Sequence, residues 1–213
     1  MLTHPLANPT TISNAICHLQ QTDPLLAEII KKEPQCDIKS HTDYYQALVR
    51  SIVGQQLSVK AAAAIYGRFL ELFGGVMPTP TDILTKTEDE YRVVGFSYAK
   101  ARYIRDLAVK IIDGDVQFEH FNKLSNDEIV TELTNVKGIG EWTVHMFLMF
   151  CMGRLDVLAP GDLGIKNGIQ CIYDLDRPPT PTEITEIAKN NHWHPYETVA
   201  CWYIWESLDN SPK

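Results

Sequence analysis

Thr134-Asn-Val-Lys-Gly-Ile-Gly-Glu-Trp-Thr-Val144, followed by Leu158-Ala-Pro-Gly-Asp-Leu-Gly-Ile-Lys166, is the pair of runs on which the reading of this chain turns. Gly138-Ile139-Gly140 reads as a tight turn opening into an apolar helix. Pro160-Gly161-Asp162 reads as a turn that puts a lone acid at the start of another. Backbone N–H groups presented at a helix N-terminus suit one phosphate. The spacing therefore predicts a phosphate anchor and, about one helix and one loop further on, a carboxylate placed for chemistry.

Around these runs nearly every periodic segment reads as helix and strand-like alternation is almost absent, so the expected class is all-α. Asp23-Pro24 starts the first predicted helix, with the acid as cap and proline at the first helical position, running to about Lys32. Thr42 or Asp43 opens a second, and Ser58 a long alanine-rich one that ends at Gly74-Gly75. Two short helices are expected over 80–94, and Ser97 begins one that ends at Gly114. Ser125-Asn-Asp-Glu128 is a capping box that opens the first helix of the hairpin. The second hairpin helix runs from Glu141 to Cys151, and Asp162 caps another over 163–173. After a proline-rich turn, two last helices are expected over 182–190 and 195–208.

A chain of 213 residues with 45% hydrophobic content can bury a substantial core. No apolar run is long enough to span a membrane, and the N-terminus lacks the basic start and apolar core of a signal peptide. A soluble, intracellular protein with no membrane partner is expected. Cys17, Cys36, Cys151, Cys171 and Cys201 are scattered, with no C-x-x-C pair, which argues against zinc, an iron–sulfur cluster and a disulfide framework. They read as free buried thiols. His192 and His194 flank Trp193 without a carboxylate or cysteine at ligand spacing, and read as surface or loop histidines. The net charge of −8 counts against a nucleic-acid partner. Net charge, however, speaks to long-range steering and not to what one surface binds.

With these elements in place, Leu133 to Phe150 with Asp162 downstream resembles the helix-hairpin-helix DNA glycosylases. Their signature is a Leu-Pro-Gly-Val-Gly-like hairpin followed by a proline- or glycine-flanked aspartate; Lys137 stands here where that family usually has proline. Val53-Gly-Gln-Gln-Leu-Ser-Val-Lys60 is similar to a second motif of the family, at the helix lining its DNA-facing loop. Gly95-Phe-Ser-Tyr-Ala-Lys100 with Tyr103-Ile104 is similar to a third. The branch it resembles most is 3-methyladenine DNA glycosylase II, the AlkA-like enzymes, in a compact form without the extra N-terminal β-rich domain. The resemblance covers roughly residues 25–208. It implies two helical lobes with the active cleft between them: about 42–155, holding the hairpin, and 1–41 plus 156–213.

Hydrolysis of an N-glycosidic bond builds positive charge on the sugar, and a carboxylate near the anomeric carbon stabilises that oxocarbenium-like state. Asp162 is the expected catalytic residue, although aspartate is also a favoured N-cap. The family's bifunctional members carry a Schiff-base lysine where this chain has Trp142, so the resemblance implies a monofunctional hydrolase without lyase activity. An indole at that place can stack on a flipped cationic base; the plainer reading is core. Met146, one turn on, and Trp205 complete the expected base pocket, although core packing explains Trp205 about as well. Gln56 or Leu57 is the expected plug that fills the stack when the base leaves, a helix cap and a core leucine being the other readings. Gly138, Ile139 and Gly140, with Lys137 and Lys166, are the expected DNA contacts. No cofactor is expected beyond a Na+ or K+ held by hairpin carbonyls.

The expected activity is removal of alkylated purines such as 3-methyladenine and 7-methylguanine in base excision repair. The partner would be double-stranded DNA carrying damaged bases, and the protein a monomer, in the cytoplasm with the nucleoid if bacterial or in the nucleus if eukaryotic. Two alternatives stay open. One is a non-catalytic helix-hairpin-helix DNA-binding protein, which needs neither Asp162 nor Trp142. The other is a glycosylase for a different lesion, such as hypoxanthine.

Overall fold

A computed structural model describes residues 4–209. The chain runs through α1 (Pro9–Thr22), α2 (Pro24–Ile30), α3 (Tyr44–Gly54), α4 (Val59–Glu71), α5 (Pro80–Thr85), α6 (Glu88–Val93) and α7 (Tyr98–Ile112). A 3-10 turn (Phe118–Lys123) follows, then α8 (Asn126–Thr134), α9 (Glu141–Phe150), α10 (Leu163–Ile172), α11 (Pro181–Asn190) and α12 (Glu197–Asp209). Extended pairing among the described residues is confined to one isolated antiparallel bridge, Leu6 with Arg154, so the protein is all-α. No described helix is long and apolar enough to cross a membrane.

The helix starts are written locally. Asp23, Asp43, Ser58, Ser97, Ser125 and Asp162 each accept a backbone N–H of the first turn they precede, an arrangement worth about 1 kcal/mol apiece. In α8 the box closes both ways: Ser125 Oγ takes the Glu128 amide, and the Glu128 carboxylate takes the Ser125 amide at 2.7 Å. Two elements lie outside the sequence expectation, α1 and the 3-10 turn. α1 is capped by Asn8 with Pro9 at its first position, and buries Ile12, Ala15 and Leu19 along one face.

The molecule divides into two compact units. The first, Asp43–Phe147, is organised on α7, which packs against α3, α5 and α6. Its core includes a run of stacked rings: Phe69 on Phe96 and Tyr91 on Phe96, both with centroids 5.5 Å apart. The second, residues 4–42 and 148–209, packs α12 against α1, α2 and α10. At its centre the fully buried Asp23 caps α2 with one carboxylate oxygen. The other oxygen accepts from Trp193 Nε1 at 2.8 Å and from the Tyr173 hydroxyl. A buried carboxylate is tolerated where donors surround it in this way.

The division falls between Phe147 and Leu148, earlier than the position near 155 expected from the sequence. The reason is backbone pairing. Ala7 N–H donates to Gly153 O at 2.7 Å, Leu155 N–H to Pro5 O at 2.9 Å and His41 N–H to Cys151 O at 2.7 Å. These bonds tie residues 151–155 to the N-terminal segment. A second correction concerns the thiols. Cys36, Cys151 and Cys201 are buried as expected, but Cys17 and Cys171 are exposed, on the solvent sides of α1 and α10. His192 and His194 are exposed on either side of the buried Trp193.

Candidate functional site

In the first unit, residues 135–140 join α8 to α9 in a compact turn. Val136 N–H donates to Leu133 O, Ile139 N–H to Val136 O and Val144 N–H to Gly140 O, each at 3.1 Å. Val136 and Ile139 bury their side chains beneath the turn, leaving Lys137, Gly138 and Gly140 exposed. Gly138 has φ +81°, and a Cβ there would overlap the Tyr103 ring of α7, so only glycine meets both demands. The Lys137 amide donates to Asp106 Oδ2 at 2.9 Å, and its ammonium lies 3.3 Å from Asp106 Oδ1. That lysine side chain is 75% exposed, so the ion pair adds little to stability.

The turn between α3 and α4 reaches the same hairpin. Gln55 Nε2 donates to Gly138 O at 2.8 Å. Gln56 follows with φ +57°, an uncommon backbone conformation for a side-chain-bearing residue, and the turn closes through Leu57 N–H to Gly54 O at 3.2 Å. Lys100 Nζ donates to Val53 O at 2.7 Å and so caps the end of α3; burial lowers its pKa from the usual lysine value. Together these segments line a groove of about 790 Å³. Its walls include Gln56 and Leu57 from the α3–α4 turn, Lys100 and Tyr103 from α7, and Gly138 and Trp142 from the hairpin. The three sequence motifs thus meet at one surface. Trp142 is 50% exposed, in the first turn of α9, with Met146 one turn further on and half-buried. The first turns of α7 and α9 contribute to the groove, so the N-terminal ends of both helices, where the dipole is positive, lie beside it.

In the second unit, Asp162 caps α10. Its Oδ1 accepts the Ile165 amide at 2.8 Å and the Trp205 indole N–H at 2.9 Å. Trp205 is half-buried on α12, with its ring tilted against Phe150 at 5.9 Å. A Cβ on Gly164 would lie 2.8 Å from Trp205 Cδ1 and 3.0 Å from Asp162 Oδ1, so α10 needs glycine where the indole edge comes in. Lys166, half-buried, follows one turn after the cap.

The structure gathers Gln56, Leu57, Gly138 and Trp142 on one groove, and separately joins Trp205 to Asp162. It corrects one detail of the expected anchor. The Ile139 amide is spent inside the turn, on Val136 O, and the side chain is buried, so Ile139 braces the hairpin from within. Leu57 is 37% exposed, which removes the core-leucine reading. Two residues went unremarked in the sequence, Gln55 as a partner of the hairpin and Gly164 as the seat of the indole. Neither carries a local signal, because each depends on a residue at least 40 positions away.

The profile of the HhH-GPD superfamily base excision DNA repair protein matches residues 49–192, and the chain belongs to that superfamily. It is similar to DNA-3-methyladenine glycosylase 1 of Schizosaccharomyces pombe, with 33% identity over 204 residues, covering 93% of this chain and 88% of that one. Among solved structures, the DNA-3-methyladenine glycosidase of Bacillus halodurans matches with a TM-score of 0.82 and 34% identity, over 92% of this chain and 89% of that one. A 3-methyladenine DNA glycosylase of S. pombe, solved in complex with abasic DNA, matches with a TM-score of 0.77 and 31% identity, over 93% and 98%.

Proposed function

We propose that this protein is a monofunctional DNA glycosylase that hydrolyses the N-glycosidic bond of alkylated purines, 3-methyladenine and 7-methylguanine among them. The observation that carries the reading is the Asp162 carboxylate, fixed at the head of α10 by the Ile165 amide and the Trp205 indole N–H. A carboxylate already held by donors needs little reorganisation as positive charge develops on the sugar. An alkylated base is itself cationic and leaves readily, so one carboxylate suffices.

In this reading the hairpin grips the DNA backbone through N–H groups at the start of α9, with Lys137 and Lys166 adding charge. Gln56 or Leu57 enters the stack where the base has left. Trp142 and Met146 supply soft, polarisable faces to receive the base, and Trp205 holds the Asp162 carboxylate in place. No lysine stands at position 142 to form a Schiff base, which favours hydrolysis without strand cleavage. Hairpin carbonyls are the neutral oxygen donors that Na+ or K+ takes. Val136 O and Gly138 O each accept one hydrogen bond and keep a second lone pair for such an ion, which would supply positive charge beside a phosphate.

Base release from methylated duplex DNA, followed by chromatography, tests the proposal. Wild-type protein should free 3-methyladenine and 7-methylguanine, Asp162→Asn should do so about a hundredfold or more slowly, and borohydride should trap no covalent adduct. DNA binding without any base release by the wild type would make this a non-catalytic binding protein.

A further inference from the structure

We propose that Gln55 is a positioning residue, a latch that couples the plug-bearing turn to the hairpin so that phosphate grip and stack insertion occur as one event. The inference rests on the glycosylase reading above. Its basis is the 2.8 Å bond from Gln55 Nε2 to Gly138 O, which joins segments 83 residues apart.

The hairpin does not need Gln55 in order to fold. It is held from α7 by Tyr103 beneath Gly138 and by Asp106 on the Lys137 amide, and from within by the buried Val136 and Ile139. The α3–α4 turn keeps its closure and its anchor without it, and only the conformation of Gln56 depends on it. That turn is closed by Leu57 N–H to Gly54 O and anchored by Lys100 on Val53 O. The Gln55 bond fixes one of these preformed pieces against the other. Gln56 is the immediate neighbour and sits at φ +57°, a conformation that persists only where its surroundings over-determine it. The Gln55 side chain is part of those surroundings. Releasing it frees the residue next in line to choose among other backbone conformations, and the side chains of Gln56 and Leu57 lose their fixed aim.

Gln55→Met keeps the length of the side chain and removes the donor. Three measurements compare it with the wild type: thermal stability, hydrogen exchange of residues 55–58 and 136–142 in the free protein, and affinity for a plain duplex and for one with a tetrahydrofuran abasic analogue. The Tm and the plain-duplex affinity should hold, the latter within about twofold. Exchange should quicken in residues 55–58. The preference for the abasic duplex should fall by about tenfold, the order of one lost hydrogen bond. Unchanged exchange at 55–58, or an equal loss of affinity for both duplexes, would overturn the latch. Should the wild type itself show no preference for the abasic duplex, the glycosylase reading fails, while the exchange rates still decide whether Gln55 holds the turn.

Discussion

Trp205 donates its indole N–H to the same carboxylate oxygen of Asp162 that receives the Ile165 amide, at 2.9 and 2.8 Å. The indole N–H thereby orients the carboxylate. Trp205→Phe keeps an aromatic ring and deletes the donor. Hydrogen bonds to charged groups contribute about 1.5–3 kcal/mol, so single-turnover excision should slow by roughly ten- to a hundredfold while DNA affinity holds. Wild-type excision in this variant would reduce Trp205 to packing.

Asp162→Asn separates cap from charge. Asparagine still accepts the Ile165 amide, so α10 should remain intact and the Tm should move little. Excision should fall on the order of a hundredfold or more, as when one preorganised electrostatic contact is removed. Measured together, circular dichroism and single-turnover rates check both halves.

The two hairpin glycines should behave differently. Gly138→Ala sets a Cβ into the Tyr103 ring at φ +81° and should destabilise the protein by about 1–3 kcal/mol, read from urea unfolding. A Cβ on Gly140 meets nothing within 4 Å. Gly140→Ala should therefore unfold with the wild type, yet bind DNA more weakly, because in the proposed reading the added methyl would stand where a phosphate approaches. Equal stability losses in the two variants would contradict this.

Trp142 presents half of its indole to solvent. Trp142→Ala should impair excision of the cationic 3-methyladenine and 7-methylguanine more than that of a neutral lesion. A desolvated cation–π contact is worth about 2 kcal/mol, or roughly thirtyfold in rate. Equal losses for charged and neutral bases would make it a wall only.

Glu197 gives a pH prediction. One carboxylate oxygen accepts from His194 Nδ1 at 3.0 Å, and the other is buried with no hydrogen-bond partner among the described residues. Burial raises its pKa from the usual glutamate value, with Asp156 adding to the rise and His194 opposing it. Folding thus favours the protonated form. The stability it contributes is complete below the unfolded pKa and is lost as pH rises through the raised one. Glu197→Gln should be more stable than the wild type at pH 7, with the gap narrowing toward pH 4, as measured by urea unfolding at both values.

What could be read from the sequence was local. Asp23-Pro24, Ser58, Ser97, Ser125 to Glu128 and Asp162 announce their helices because a cap and its amide lie within three residues. Asn8-Pro9 with Thr11 carries the same kind of signal for α1, but its polar, threonine-rich first turn masks the stripe formed by Ile12, Ala15 and Leu19. The glycine hairpin was legible for the same reason as the caps. The bonds of Trp205 to Asp162 and of Gln55 to Gly138 were not, since they arise only when separate helices fold together. The boundary near residue 147 was set by backbone pairing that leaves no mark in side-chain pattern.

The groove flanked by the first turns of α7 and α9 belongs to a chain of net charge −8. A polyanion held there meets oriented amides more than fixed cations, so few condensed counterions are shed on binding. Such a grip weakens only gently as ionic strength rises, in contrast to that of a lysine-rich protein. The net negative charge adds long-range repulsion, so release from a duplex should be quick unless a contact at the groove holds it.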